Sequence, residues 1–325
     1  MKSLIYICPY FGKLPKNFQL WLDTCKYNPT INWLIFTDDK DTYDYPINVK
    51  VIYLSFEELR KKIQSKFDFT ISLEKPYKLC DFKPAYGYIF SDFIIGFDFW
   101  GHCDMDVFFG NIRKFLNNQI LSNYEKIGYQ GHSTIYLNND MVNSRFKTIT
   151  NKFNYKDIFS SNKNFAFDEI GMDDIYLNLN IKVYQETIFA HLDKYSYGFR
   201  TMYLHDESPN KSSIFVWKDG NIYQYYLVND KIKKIEYYYL HFFCRPLSFK
   251  VTKIVKGKII IIYPDKVIES SNEPTIKFIK RHGKKGAIRY YLSSIWYNRH
   301  KITFKKIIYN IKAMIRSKKA SKYEK

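Results

Sequence analysis

The sequence contains no uninterrupted apolar run approaching the roughly 18 residues that a membrane-spanning helix needs, so no segment reads as a bilayer-crossing helix. The first residues, Met1 to Tyr10, hold an apolar stretch of only about six residues without a small-residue cleavage site, which favours an opening strand over a secretory leader. The expectation is a chain that stays in the cytoplasm. Cysteine is scarce: Cys8, Cys25, Cys80, Cys103 and Cys244 are five in all, with no Cys-x-x-Cys pair. An odd count without such a pair argues against a disulfide frame or a zinc knuckle and for reduced core thiols. Internal repeats are absent as well, which removes solenoid and propeller architectures.

What the chain does have is aromatic mass. Its 30 tyrosines and 27 phenylalanines, within a hydrophobic fraction of 46%, supply enough apolar surface for a large core and exclude disorder over most of the length. A chain of 325 residues accommodates one large α/β domain with an appendage. The net charge of +19 is segregated. From Lys277 to Lys325, 16 lysines and arginines face one acid, Glu324, so that stretch carries +15 and the remainder only +4. The basicity therefore belongs to a tail, and the body is close to balanced.

The first half alternates strand-like and helix-like stretches, as a layered α/β sheet requires. Leu4 to Cys8 reads as a buried strand stopped by Pro9, Asn17 to Lys26 as a helix, Asn32 to Thr37 and Val49 to Leu54 as further strands. Ser55 with Glu58 three residues on predicts a capping box. Lys83 to Phe93 has helical spacing and leads into a strand from Phe97 to Cys103. Between Ser213 and Ile268 the pattern changes to hairpins, with turns expected at Asp219-Gly220, Asn229-Asp230 and Lys256-Gly257. Beyond Lys284 an apolar stripe of Phe304, Ile307, Ile308, Ile311, Met314 and Ile315 among lysines predicts a basic amphipathic helix. The expected organisation is a catalytic domain over 1–250, a hairpin-rich extension over 251–276 and a basic helical tail over 277–325.

Asp104 and Asp106 close the strand Phe97 to Cys103. On an extended backbone their carboxylates point to one side and Met105 to the other. Convergent carboxylates at a strand end suit a hard divalent cation such as Mn²⁺ or Mg²⁺, and open α/β sheets bind ligands beyond the carboxyl ends of their strands. A surface turn or helix cap is the plainer alternative.

The stretch FDFWGHCDMDVFFGNIRKF, residues 97–115, resembles the D-x-D segment of GT-A glycosyltransferases, and most of all an uncharacterised bacterial family found with capsule and exopolysaccharide genes. The opening YICPYFGKLPKNFQLWLDTCKYNPTINWLIFTDD and the later EKPYKLCDFKPAYGYIF are similar to that family too. The resemblance implies an α/β GT-A fold with a mixed central sheet. It also implies a nucleotide-sugar donor, usually UDP-linked, whose diphosphate is held by Mn²⁺ on the aspartates. The acceptor would be a saccharide or lipid-linked oligosaccharide of cell-surface polysaccharide assembly. Pro9, Tyr10 and Phe11 after the first strand, and Thr37, Asp38 and Asp39 after the second, would then meet the nucleoside, although Asp38 and Asp39 also suit a solvated turn. Lys83 would pair with the aspartates or a phosphate. His241 would complete the metal shell with Asp104 and Asp106, and Arg245 would touch the diphosphate; a core histidine is the alternative for His241. His132 would line the sugar site. In NFAFDEIGMDDIYLN, Asp168 and Glu169 are candidates for the base that accepts the acceptor proton, with Glu169 and Asp173 sharing one helical face and Asp168 otherwise a helix cap.

Two other classes compete. Asp104-Met105-Asp106-Val107 fits the nucleophile motif of haloacid-dehalogenase phosphatases, but that motif closes the first strand of its domain, and three strand-like stretches precede it here. A non-enzymatic binder of nucleic acid is suggested by the pI near 9.4. The charge lies in a tail without a nucleic-acid motif, so no nucleic-acid partner is expected. Beside a sugar-transferring domain the tail reads better as an anchor on an anionic inner membrane face, or as a solvated helix.

Overall fold

The structure, a computed structural model, describes residues 1–192, 199, 212–243, 245 and 247–283. The cysteine at 244 and the amphipathic stripe expected beyond Lys284 lie outside the described residues. In chain order the first strands are β1 (Leu4–Pro9), β2 (Ile31–Thr37), β3 (Val49–Tyr53), β4 (Phe99–Cys103), β5 (Val107–Phe109), β6 (Lys126–Gln130) and β7 (Ser133–Leu137). Six of them form one sheet in the order β3-β2-β1-β4-β7-β6. β3, β2, β1 and β4 run parallel, whereas β7 is antiparallel to both β4 and β6. The α/β class with a mixed central sheet, expected from the sequence, is what the chain adopts.

Both faces of this sheet are buried, so β1 is nearly all apolar and not alternating. Leu4, Tyr6 and Cys8 join one core cluster with Trp33, Phe99 and Phe109. Ile5 and Ile7 join the other, with Leu34, Phe36 and Trp100. The helix Phe18–Lys26 covers the first face through Phe18, Trp21, Leu22 and Cys25. The helix Phe56–Gln64 covers the second, and its Ser55–Glu58 capping box is formed reciprocally.

The continuous helix expected from Lys83 to Phe93 is not formed. The segment winds instead through a 3-10 turn at Lys83–Ala85, an α-turn at Tyr86–Ile89 and another 3-10 turn at Ser91–Phe93. Pro84 lacks the N–H that would extend the preceding turn Leu79–Phe82. The break turns Lys83 inward, where it is buried.

The later strands are β8 (Ala190–His191), β9 (Ser213–Lys218), β10 (Asn221–Val228), β11 (Lys231–Tyr237), β12 (Tyr239–His241), β13 (Ser248–Phe249), β14 (Ile259–Tyr263) and β15 (Lys266–Ser270). A second sheet has the order β11-β10-β9-β14-β15-β13, so strands from both sides of residue 250 share it. Asp219 and Gly220 (φ 47 and 79) join β9 to β10, and Asn229 and Asp230 (φ 47 and 57) join β10 to β11. Positive φ at both central positions is what a tight hairpin turn demands. The expected hairpin at Lys256-Gly257 is a turn only, because β13 pairs parallel with β15. The hairpin here closes at Pro264-Asp265, between β14 and β15. The helix Ile276–His282 is capped by Thr275, whose hydroxyl accepts the Phe278 N–H, and it buries Ile279 in the core of this second sheet.

A three-stranded sheet, β5-β12-β8, connects the two larger ones. Two side chains anchor β5 and the residues that follow it. The indole of Trp217 donates to the Phe109 carbonyl at 2.8 Å, Asn28 Nδ2 donates to the Gly110 carbonyl at 2.9 Å, and Asn28 Oδ1 accepts the Ile112 N–H at 2.9 Å. No helix among the described residues is long and apolar enough to cross a membrane. The four described cysteines are free.

Candidate metal and nucleotide-sugar site

The chain reverses its order in the first sheet between β1 and β4: β2 and β3 lie on one side, β4 and β7 on the other. Such a switch point opens a crevice beyond the carboxyl ends of the two strands. Pro9, Tyr10 and Phe11 leave β1 there, and Asp104-Met105-Asp106 leaves β4. The Asp104 N–H donates to the His132 carbonyl at 3.1 Å, and the Phe242 N–H to the Asp106 carbonyl at 2.9 Å, which fixes the turn at both ends. Met105 is buried in the core below, while the two carboxylates keep about a third of their surface.

His241 arrives by sheet register. β12 pairs antiparallel with β5, placing His241 opposite Val107, the residue after Asp106. Its Nε2 lies 3.1 Å from Asp106 Oδ1. One ligand atom each from Asp104, Asp106 and His241 lies within 4.8 Å of the others. Two carboxylates and one imidazole form a set of hard and borderline donors that fits Mn²⁺ or Mg²⁺.

Lys83 sits behind this group. Its ammonium donates to Asp104 Oδ1 at 2.8 Å and to the Gly131 carbonyl at 2.7 Å, and it lies 3.4 Å from Asp168 Oδ2. Burial works against its charge, but Asp104 and Asp168 outweigh burial and hold the ammonium well above its ordinary range. Burial pushes the Asp168 carboxyl up to about 6, against the pull of Lys83 and with help from Glu169 and Asp104. A Cβ on Gly131 would sit 2.3 Å from Asp168 Oδ2 and would displace that carboxylate, which lies 3.4 Å from the Lys83 ammonium.

A cleft of about 820 Å³ opens over the site. Of the residues expected from the sequence, Pro9, Tyr10, Phe11, Lys83, Asp104, Met105, Asp106 and Arg245 line it. Arg245 is buried, with Nε donating to the Pro264 carbonyl at 3.0 Å and its guanidinium over the Phe199 ring. Thr37, Asp38 and Asp39 stand apart from the cleft lining. Asp38 accepts the Gly12 N–H at 2.7 Å, and buried Asp39 accepts the N–H groups of Leu14 and Asp41, so their described bonds brace the loops after β1 and β2. Asp168 and Glu169 also stand back. Glu169 accepts the Gly131 N–H at 2.8 Å, and Asp173 pairs with the buried Lys126, so the helical face expected to present them together is divided. Asp168 does not cap its helix; it lies in a π-helical turn, Phe167–Gly171, without a side-chain cap. His132 does not line the cleft but packs behind His241, ring centroids 4.2 Å apart.

The sequence reading missed His191. β8 pairs parallel with β12 and sets His191 opposite His241, with Nδ1 atoms 3.1 Å apart. A two-residue strand carries no periodic signal, so only the pairing reveals it. Asp104 closes the fourth strand of its sheet, after three parallel strands, where the phosphatase motif would close the first.

Among solved structures the chain is similar to mouse xyloside xylosyltransferase 1, with 9% identity over 59% of this chain and 88% of that one, at a TM-score of 0.36. It is also similar to the glycosyltransferase GlyE of Streptococcus pneumoniae, with 12% identity, 57% and 45% coverage, and a TM-score of 0.32. The chain thus spans less than half of the pneumococcal protein. No curated protein matches the chain. Residues 6–271 match a family of unknown function (DUF6625), and the chain belongs to that family.

Proposed function

We propose that this chain is a metal-dependent glycosyltransferase of the GT-A type, moving a sugar from a nucleotide-sugar donor, UDP-linked, to a hydroxyl of a saccharide or lipid-linked acceptor. The observation that carries the reading is the convergence of Asp104, Asp106 and His241 at the end of β4, opening on a cleft walled by the loop after β1. An adjacent carboxylate pair and an imidazole at a topological switch point suit a cation-bound diphosphate. Cell-surface polysaccharide assembly, with the basic tail resting on anionic lipid at the inner membrane face, completes the proposal.

Asp104, Asp106 and His241 would hold Mn²⁺ or Mg²⁺, which when bound would supply Lewis-acid stabilisation of a leaving nucleoside diphosphate. The chain's own groups do the rest. Tyr10 and Phe11 offer aromatic surface to the base, and Arg245 offers a fixed positive charge at the cleft wall. Lys83 holds Asp104 in place, and Asp168 holds Lys83. Among the described residues, Asp104 and Asp106 are the only carboxylates lining the cleft. Asp168 and Glu169, both set back from the cleft lining, remain the proposed pair on the acceptor side.

A donor screen tests this directly. Purified protein with Mn²⁺ is offered a panel of nucleotide sugars, and released nucleotide is measured. Release from at least one UDP-sugar is expected; turnover of phosphate monoesters with a phosphorylated Asp104 instead would move the assignment to the phosphatase class.

A further inference from the structure

Three buried histidines meet behind the aspartates. Nδ1 of His191 lies 3.1 Å from Nδ1 of His241 and 3.0 Å from Nε2 of His132, and all three residues are at most 5% exposed. The outward nitrogens of the flanking rings have oxygen partners. His241 Nε2 is 3.1 Å from Asp106 Oδ1, and His132 Nδ1 is 2.8 Å from the Tyr239 hydroxyl.

Proton accounting makes this arrangement informative. An imidazole nitrogen has one in-plane position, filled by either a hydrogen or a lone pair. Ionised Asp106 only accepts, so it calls for N–H on His241 Nε2 and leaves a lone pair on Nδ1. Where Tyr239 accepts from His132 Nδ1–H, Nε2 of His132 likewise presents a lone pair. Both lone pairs then face Nδ1 of His191, which can donate to only one of them, and a cation placed among the three nitrogens satisfies them all.

We propose that His132, His191 and His241 form a second metal site, a three-imidazole site for a Zn²⁺-type cation. One ring nitrogen from each residue lies within 4.8 Å of the others. Nitrogens around a tetrahedral zinc with bonds of about 2.0–2.1 Å stand roughly 3.3 Å apart, close to the two spacings here. Three imidazoles without a carboxylate favour zinc over magnesium or manganese. Asp106 behind His241 and Tyr239 behind His132 act as the outer partners that orient metal-bound imidazoles. The site does not rest on the transferase reading, but it competes with the aspartate site for His241. A neutral imidazole has one lone pair, so His241 serves either this cation or the one on the aspartates.

The test uses the full chain and the fact that Asp104 belongs to one group of ligands and His191 to the other. Equilibrium dialysis with Zn²⁺, and the visible spectrum of the Co²⁺ form, are compared for wild type, Asp104→Asn and His191→Ala. The expected result is that Asp104→Asn keeps its Zn²⁺ and the low-coordinate Co²⁺ spectrum, and His191→Ala loses both. Tyr239→Phe, which spares all three ligands, should weaken Zn²⁺ by about 10- to 100-fold. Should His191→Ala fail to fold, zinc-edge X-ray absorption on the wild-type protein decides, with scattering from three imidazoles expected. Zinc lost in Asp104→Asn and kept in His191→Ala, or a shell dominated by oxygen with a single imidazole, overturns the site. Failure to release nucleotide with Mn²⁺ would overturn the transferase reading and leave the zinc result standing.

Discussion

The ammonium of Lys83 lies 2.8 Å from Asp104 and 3.4 Å from Asp168, so one buried cation is shared by two carboxylates from distant parts of the chain. Removing one partner of a buried ionic group strands the other without compensation, at a cost of about 3–5 kcal/mol. Lys83→Met should therefore lower unfolding free energy by roughly that amount, measured by urea denaturation, and should push Asp168 above its present value of about 6. Adding Asp168→Asn to Lys83→Met removes the stranded charge, so the double variant should cost less than the two single losses together. Additive losses would show that the two groups do not interact.

The metal-free protein should lose stability as pH falls from about 7 to 5. His102, His132 and His191 are buried and held below their ordinary 6.5, burial being the largest cause in each case. Below 6.5 the unfolded chain takes up protons that the folded chain refuses, so the unfolded state is favoured progressively as pH drops through that window. Each such histidine contributes up to about 1.4 kcal/mol per pH unit below 6.5 until its folded value is reached. Denaturant midpoints across this range check the sign. Asp168, held up at about 6, works in the opposite direction below that pH but offsets at most one of the three histidines, so a midpoint that stays level would contradict their being neutral in the folded protein.

Much of the site was legible because its signals are local. Asp104 and Asp106 close an apolar strand two residues apart, and Ser55 with Glu58 states a capping box within one turn. Asp219-Gly220 and Asn229-Asp230 specify hairpins by backbone chemistry alone. What stayed hidden depends on partners far along the chain. His191 matters only because β8 pairs with β12, and Asp39, expected at a nucleoside, is consumed by the N–H groups of Leu14 and Asp41. Helical spacing from Lys83 to Phe93 was real, yet Pro84 removed the N–H needed to keep one helix, and the resulting break is what aims Lys83 at Asp104.

The tail gives a separate prediction. Deleting residues 284–325 keeps the packed helix Ile276–His282 and removes the remaining basic stretch. Each basic side chain near an anionic surface contributes about 1 kcal/mol, screened by salt. Intact protein should sediment with anionic vesicles at low salt and be released as salt rises, and the truncated chain should not sediment. Equal sedimentation of both would remove the tail from membrane binding.

The central claim rests on the aspartates, and nucleotide release from a UDP-sugar in Mn²⁺ measures it most directly. Wild-type protein should release UDP, stop when EDTA removes the metal and resume when Mn²⁺ is restored. Asp104→Asn and Asp106→Asn should each reduce release by at least about 100-fold while unfolding cooperatively like wild type. Undiminished release in metal-free buffer, or from either asparagine variant, would contradict the account.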